Sequence, residues 1–442
     1  MSSSNGGRPT VLSICHNHPT VRPGGGEGYA LELHRAMAES GDFDSVFLAK
    51  GGPPLAAAGQ PHLGTFIAPV GERDDEYFLY TDGYDFDWVF GTVLAGKQLY
   101  TKHFRDFLLA VNPDVVHFQH TLFMGYDLLR VVRDALPDAP IVYTLHEFMP
   151  ICHRQGQMLR TVDEQPCMEE SPRRCNECFP EISRQTFFLR KRFVQSHFSL
   201  VDRFIAPSEF LMERYVDWGI PRDRIRCEEY GRRAMVPLPD EERPRDRLGY
   251  FGQFNPFKGI DVLLRAMRRL QTEPADDAGG GAARRPSLRV HGANLDLQGG
   301  AFQNAIRDLL EETSDSVTFI GRYDPSQISR LMAAVDWVVV PSIWWENSPL
   351  VIQEAFAHGR PVICSDIGGM AEKVTDGVNG LHFRAGDADS LAETIAAAVS
   401  TPGLWERLRE GIKEVYAMED HVRFMSDLYR ELADARKSEV HA

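Results

Sequence analysis

Short runs of β-branched and apolar residues alternate with segments in which apolar positions recur every three or four residues, and this rhythm runs through most of the chain. Thr10–Cys15, Asp44–Lys50, Gly64–Pro69, Asp114–Gln119, Ile141–Leu145 and Phe204–Pro207 read as strands, with Ile225–Tyr230 as a last strand or a linker. Helical periodicity follows, beginning with Glu27–Glu39. Such alternation predicts an α/β protein built on parallel sheets. The acidic, aromatic stretch Asp74–Phe90 breaks the rhythm and reads as a surface excursion.

Pro237–Arg247 mixes prolines with charges of both signs, the composition of a linker. Beyond it the rhythm restarts, with strands at Leu248–Phe251, Ser287–His291 and Val317–Ile320, a helix at Gly259–Leu270, and the loop-like Gln271–Pro286. The pattern predicts a first domain at 1–236, a linker at 237–247, a second domain at 248–416 and a final helical stretch at 417–442. A chain of 442 residues is long enough for two such domains.

The most informative stretch is Asp336–Met370, which reads as strand, polar loop, helix ended by Gly359, second strand and glycine loop. Ser348 is a candidate N-cap with Pro349 at the first helical position. The amides of Leu350 and Val351 then face outward at the positive end of the helix dipole, a setting suited to a phosphate. Glu346 stands just ahead of this helix and Glu354 inside it. Either both are solvated glutamates or they grip one ligand, the first through sugar hydroxyls and the second through a diol such as ribose. Their place at the carboxyl ends of strands favours the ligand.

With Glu346, Glu354, Gly368, Gly369 and the run Val374–Gly380, this stretch resembles the E-x7-E region of retaining glycosyltransferases of family 4 (glycosyltransferase group 1). That family has the GT-B fold, two Rossmann-like parallel-sheet domains facing a cleft, and the resemblance implies that the last helix, His421–Ala435, crosses back to the N-terminal domain. It also implies transfer of a sugar from a nucleotide diphosphate donor, UDP- or GDP-linked, to a hydroxyl of a saccharide or lipid-linked acceptor, without a catalytic divalent metal, in polysaccharide or glycoconjugate synthesis. Alternatives are a nucleotide-sugar epimerase or phosphorylase of the same fold and a non-catalytic sugar-nucleotide-binding subunit. The loop Gly252–Gly259 resembles the family's segment in which the lysine, here Lys258, meets the diphosphate. Gln253 departs from it where many members carry arginine, and Arg232 or Arg233 is a candidate replacement. The implied catalytic residues are His146, Glu346 and Lys258. The implied donor-binding residues are Gly25, Gly26, Gly252, Lys258, Leu350, Val351, Glu354, Gly368 and Gly369.

Four of the seven cysteines fall in the segment 148–180: Cys152, Cys167, and the C-x2-C pair Cys175 and Cys178. Their spacing predicts a structural zinc ion held by four thiolates, with His153 as a substitute for Cys152 and an iron–sulfur cluster as the other use of the same residues. Some bacterial members of the family carry similar cysteines at this place. A net charge of −15 argues against a nucleic-acid partner. No apolar run approaches the roughly 18 residues of a transmembrane segment, and Met1–Gly7 lacks a signal-peptide core, so the expectation is a cytoplasmic protein. In Ser183–Phe198, Arg184, Arg190, Lys191 and Arg192 interleave with phenylalanines. That helix is either an ordinary solvated face or a site for an anionic acceptor or peripheral membrane contact.

Overall fold

The computed structural model describes residues 7–22, 24–52, 55–57, 60–81, 89–91, 97–239, 243–272 and 285–440. Two compact units result: Met1–Arg233 together with Tyr416–Ala442, and Ala234–Val415.

The first unit contains β1 (Thr10–Cys15), β2 (Asp44–Gly52), a hairpin of β3 (Leu55–Ala57) and β4 (Gln60–Thr65), β5 (Ile67–Pro69), β6 (Glu76–Tyr80), β7 (Val115–Phe118), β8 (Ile141–Thr144), β9 (Arg203–Ala206) and β10 (Ile225–Cys227). Eight of these form one sheet in the order β10-β9-β8-β7-β1-β2-β6-β5, parallel except where β5 meets β6. β7 and β8 are buried at every position, as strands covered on both faces must be. The chain leaves β1 toward β2 and returns on its other side at β7, so the order reverses between β1 and β7 and leaves a crevice at their carboxyl ends.

The excursion expected at Asp74–Phe90 instead supplies β6, which extends the sheet beside β2. Its charges misled the reading because their partners are distant in sequence: Glu76 is buried but meets His18, Arg35 and Arg73. Residues 82–88 of that stretch lie outside the described residues. The expected strand Gly64–Pro69 is divided between β4 and β5. The final helix runs Met418–Val440, longer than the expected His421–Ala435, and packs on the helix Gly25–Ser40. Tyr29 Oη and His421 Nε2 lie 2.7 Å apart, and Tyr429 Oη stands 2.6 Å from His117 Nδ1 on β7. The last helix is thus part of the N-terminal unit, as the family resemblance implies.

The second unit is a six-stranded, wholly parallel sheet of β11 (Arg247–Gln253), β12 (Ser287–Ala293), β13 (Val317–Phe319), β14 (Trp337–Val340), β15 (Val362–Ser365) and β16 (Gly380–Phe383). Its order is β13-β12-β11-β14-β15-β16, the doubly wound arrangement with its reversal between β11 and β14. Alternate residues point to opposite faces. Trp337, Val339 and Ile363 pack with Leu263, Met267 and Ile395, while Val338, Val340 and Cys364 pack with Ile352, Ala355 and Met370. This two-sided burial explains why β14 reads as an unbroken apolar run. The glycine-rich run at 279–281 lies outside the described residues.

Candidate functional site

In the second unit the two loops that flank the reversal point carry the chemistry. After β11 the chain makes a single 3-10 turn, Pro256–Lys258, started by Asn255, whose Oδ1 accepts from the amides of Phe257 and Lys258 at 3.0 Å each. Gly259 follows at φ +65, and a Cβ there would stand 1.8 Å from the Pro341 carbonyl oxygen, so only glycine fits. The close approach holds Lys258 against the loop after β14, where Ile343 N donates to Phe257 O.

Lys258 Nζ lies 2.6 Å from Glu346 Oε1. The same carboxylate oxygen accepts from Ser342 Oγ at 2.7 Å and Trp344 Nε1 at 2.8 Å. Burial alone would raise the Glu346 carboxyl; the Lys258 ammonium and these two donors outweigh it and hold it below its ordinary range. Ser342 and Trp344 were not foreseen. Polar residues in a loop directly after a buried strand were the available signal.

The Glu346 loop is braced from below. Gly369 N donates to Glu346 O at 2.7 Å, and a Cβ on Gly369 would sit 1.5 Å from the Asn347 carbonyl oxygen. Gly368, at φ +60, packs on the Trp345 and Glu346 backbone. These glycines fix the loop that carries Glu346.

The following helix is Leu350–Ala357, capped by Pro349 in an extended conformation and not, as the sequence suggested, by Ser348. Proline's fixed φ of −63 combines here with ψ 116, outside the helical range, which moves the start one residue on. Leu350 and Val351 take the first two helical positions, whose amides have no intrahelical acceptor. Glu354 lies one turn further along, half-buried. Gly252 ends within β11 beside the exposed Gln253. Arg232 and Arg233 both belong to the first unit, where they face Glu32 and Glu39, so they are engaged there.

In the first unit three histidines gather at strand ends around the β1–β7 reversal. His16 Nε2 is 3.0 Å from Glu27 Oε1, its ring centroid is 4.6 Å from that of His120, and His120 Nε2 is 2.8 Å from Glu147 Oε1. His146 sits between Gln119 Oε1 at 3.0 Å and Tyr230 Oη at 2.5 Å. Burial, followed by its histidine neighbours, holds the His146 imidazole well below its ordinary range, so it is neutral near pH 7. The ideal Cβ position of Gly26 is 3.6 Å from the His146 ring; Gly25 begins the helix beside it. Tyr230, Gln119 and the His16–Glu27 pair were not foreseen as a set, because only the sheet order brings them together.

Cys152, Cys167, Cys175 and Cys178 all have free thiols and line one small cavity. Burial pushes the Cys152 thiol up to about 11 and the Cys175 thiol up to about 12. Their segment is not all loop, since Pro172–Cys178 forms a helix capped by Ser171. On the next helix, Arg184–Phe198, Arg190 is turned inward onto the carbonyls of Met149, Pro150 and Ile151 and so leaves the expected basic face.

Two Rossmann-like sheets in one chain, each with its own reversal of strand order, are the architecture of the GT-B fold. Among solved structures, sucrose-phosphate synthase from Thermosynechococcus elongatus matches with TM-score 0.68 and 19% identity over 96% of this chain and 100% of that one. The catalytic domain of starch synthase IV from Arabidopsis thaliana, bound to ADP and acarbose, matches with TM-score 0.63 and 14% identity over 97% and 100%. Residues 240–415 match the family described as Glycosyl transferases group 1, and residues 23–227 match Glycosyltransferase Family 4. A D-inositol 3-phosphate glycosyltransferase of Mycolicibacterium smegmatis is 32% identical over 405 residues, 88% of this chain and 82% of that protein. One from Xylanimonas cellulosilytica is 26% identical over 463 residues, 99% of each. The chain belongs to glycosyltransferase family 4 and is a retaining enzyme that uses nucleotide-sugar donors.

Proposed function

We propose that the second unit binds the nucleoside diphosphate of a UDP- or GDP-sugar and that the first unit recognises a saccharide or lipid-linked saccharide acceptor. The observation that carries this reading is the Lys258–Glu346 pair at the reversal point, 2.6 Å apart and locked by Ser342 and Trp344. Lys258 and the amides of Leu350 and Val351 offer positive charge where a diphosphate leaving group gains negative charge. Glu354 is assigned to the ribose diol. Glu346 accepts three donors on Oε1, which fixes the carboxylate and supports a positioning role toward the donor sugar. The sugar–phosphate bond then breaks on the face where the acceptor oxygen bonds to the anomeric carbon, and the departing phosphate oxygen takes the acceptor proton. Neutral His146, held by Gln119 and Tyr230, is assigned to sugar hydroxyls.

The M. smegmatis relative is named for an inositol phosphate acceptor. In this chain the crevice of the first unit is lined by Glu27, Glu147 and imidazoles, a set that favours neutral hydroxyls over a phosphate. The reading is therefore of an uncharged saccharide as acceptor. Incubation of the full chain with UDP- and GDP-sugars and a panel of saccharides, with D-inositol 3-phosphate as one arm, tests it. Nucleotide release dependent on a saccharide, with the donor's anomeric configuration kept in the product by NMR, is expected. Release with D-inositol 3-phosphate alone, or a change in donor stereochemistry without acceptor, contradicts it.

A further inference from the structure

We propose that Cys152, Cys167, Cys175 and Cys178 bind one zinc ion as a closed four-thiolate site. The four residues are spread over a segment about thirty residues long, yet all line one small cavity. Three local structures bring them there. Cys175 and Cys178 lie three apart in the helix Pro172–Cys178, hence on one face of it. Cys167 is returned by the bridge between Leu159 and Pro166 and by donation of its amide to Met158 O at 2.7 Å. Cys152 is held by its amide on Phe148 O at 2.7 Å.

The surroundings fit an anionic cluster. Arg190 is buried, and among the described residues its guanidinium donates to three backbone carbonyls and meets no carboxylate. Arg174 lines the cavity as well. Four thiolates around a divalent zinc carry a net charge of −2, which these two guanidiniums offset. Glu170, also on the cavity wall, is taken up by Lys191 at 3.0 Å.

Four thiolates hold either a zinc ion or an iron–sulfur cluster, and a single ion makes the smaller demand on this cavity. Soft thiolate ligands in a tetrahedral set select zinc. Among the described residues the one set of three candidate ligands within 4.8 Å of one another is His34, Asp75 and Glu76, where Arg35 and Arg73 already supply the cations. The four sulfurs stand wider than that, so zinc draws them inward by rotation of the side chains. Binding is balanced by loss of the four thiol protons to solvent. With no open coordination position the ion is structural, and it ties the chain that follows His146 and Glu147 to the helix Pro172–Cys178.

The test is metal analysis of the full-length protein purified without chelator, combined with mercurial titration of its thiols. About one zinc per chain, released in step with the modification of four thiols, is expected. Cobalt substituted for zinc is expected to give thiolate-to-metal charge-transfer bands and tetrahedral ligand-field bands. Cys175→Ser and Cys178→Ser lose the metal, whereas Cys227→Ser and Cys364→Ser keep it. If the serine variants do not fold, titration and cobalt spectra of the unaltered chain decide alone. Protein that stays metal-free after zinc supplementation, stoichiometric iron with sulfide, or a cobalt spectrum without thiolate bands overturns the proposal.

Discussion

At the scale of single residues, the proposed donor site divides its work between Lys258 and Glu346. The ammonium supplies charge, and the carboxylate, held by Ser342 and Trp344, fixes where that charge points. Lys258→Ala is expected to lower turnover by a factor of about 100 or more, near 3 kcal/mol of barrier. Steady-state kinetics with the identified donor checks this, and turnover within a factor of two of the original contradicts it. Both residues were legible in the sequence, because a lysine before a helix and a glutamate after a buried strand are local patterns. Ser342, Trp344 and the structural need for Gly259 were not. Their meaning depends on the loop after β11 meeting the loop after β14, where Lys258 and Glu346 are 88 residues apart in sequence.

At the scale of elements, the loop at 342–348 is shaped by its neighbours as much as by its own residues. Gly369 is the second residue of the next helix, Gly368–Lys373, and leaves no space for a side chain under Asn347. Gly369→Ala is therefore expected to push this loop outward and to weaken donor binding at least tenfold. Calorimetric titration with the donor reads the effect, and unchanged affinity would refute it. The final helix gives a second case. Tyr429 is buried, and its hydroxyl lies 2.6 Å from His117 Nδ1 on β7, so Tyr429→Phe leaves that buried nitrogen with only the longer 3.3 Å contact to Gln119 Nε2. A loss of about 1–3 kcal/mol in urea unfolding is expected, with no change in donor affinity. The doubly wound pattern of both sheets was legible from strand–helix rhythm. β6 was not, since the charge of Glu76 is neutralised by His18, Arg35 and Arg73 from elsewhere in the chain. The Ser348 cap was misplaced because a serine side chain suits a cap, whereas the backbone angles of Pro349 delay the helix by one residue.

At the scale of the whole molecule, stability is tied to pH by histidines buried as neutral rings. Burial pushes His34 and His291 each down to about 4 and His117 to about 3, against 6.5 when unfolded. A depressed histidine resists the proton that the unfolded chain accepts, so stability is full above about pH 6.5 and falls as the pH drops from there toward 4. His291 stacks on Phe251 with ring centroids 4.7 Å apart, and among the described residues neither ring nitrogen has a hydrogen-bond partner. His291→Phe is expected to be neutral or stabilising at pH 7 and to flatten the decline between pH 6.5 and 4. Urea titrations at several pH values check both signs. Among the described residues no helix is long and apolar enough to cross a membrane.

The proposed donor site of the second unit is tested most directly by ligand-induced stabilisation. Thermal unfolding of the full chain should be followed with UDP- and GDP-sugars, beside Lys258→Ala and Glu354→Ala. A nucleotide sugar at about a hundred times its dissociation constant stabilises by about 2.7 kcal/mol. The account predicts such a shift with one nucleotide in the unaltered chain and its loss in both variants. The same shift in all three proteins would place the donor elsewhere and contradict it.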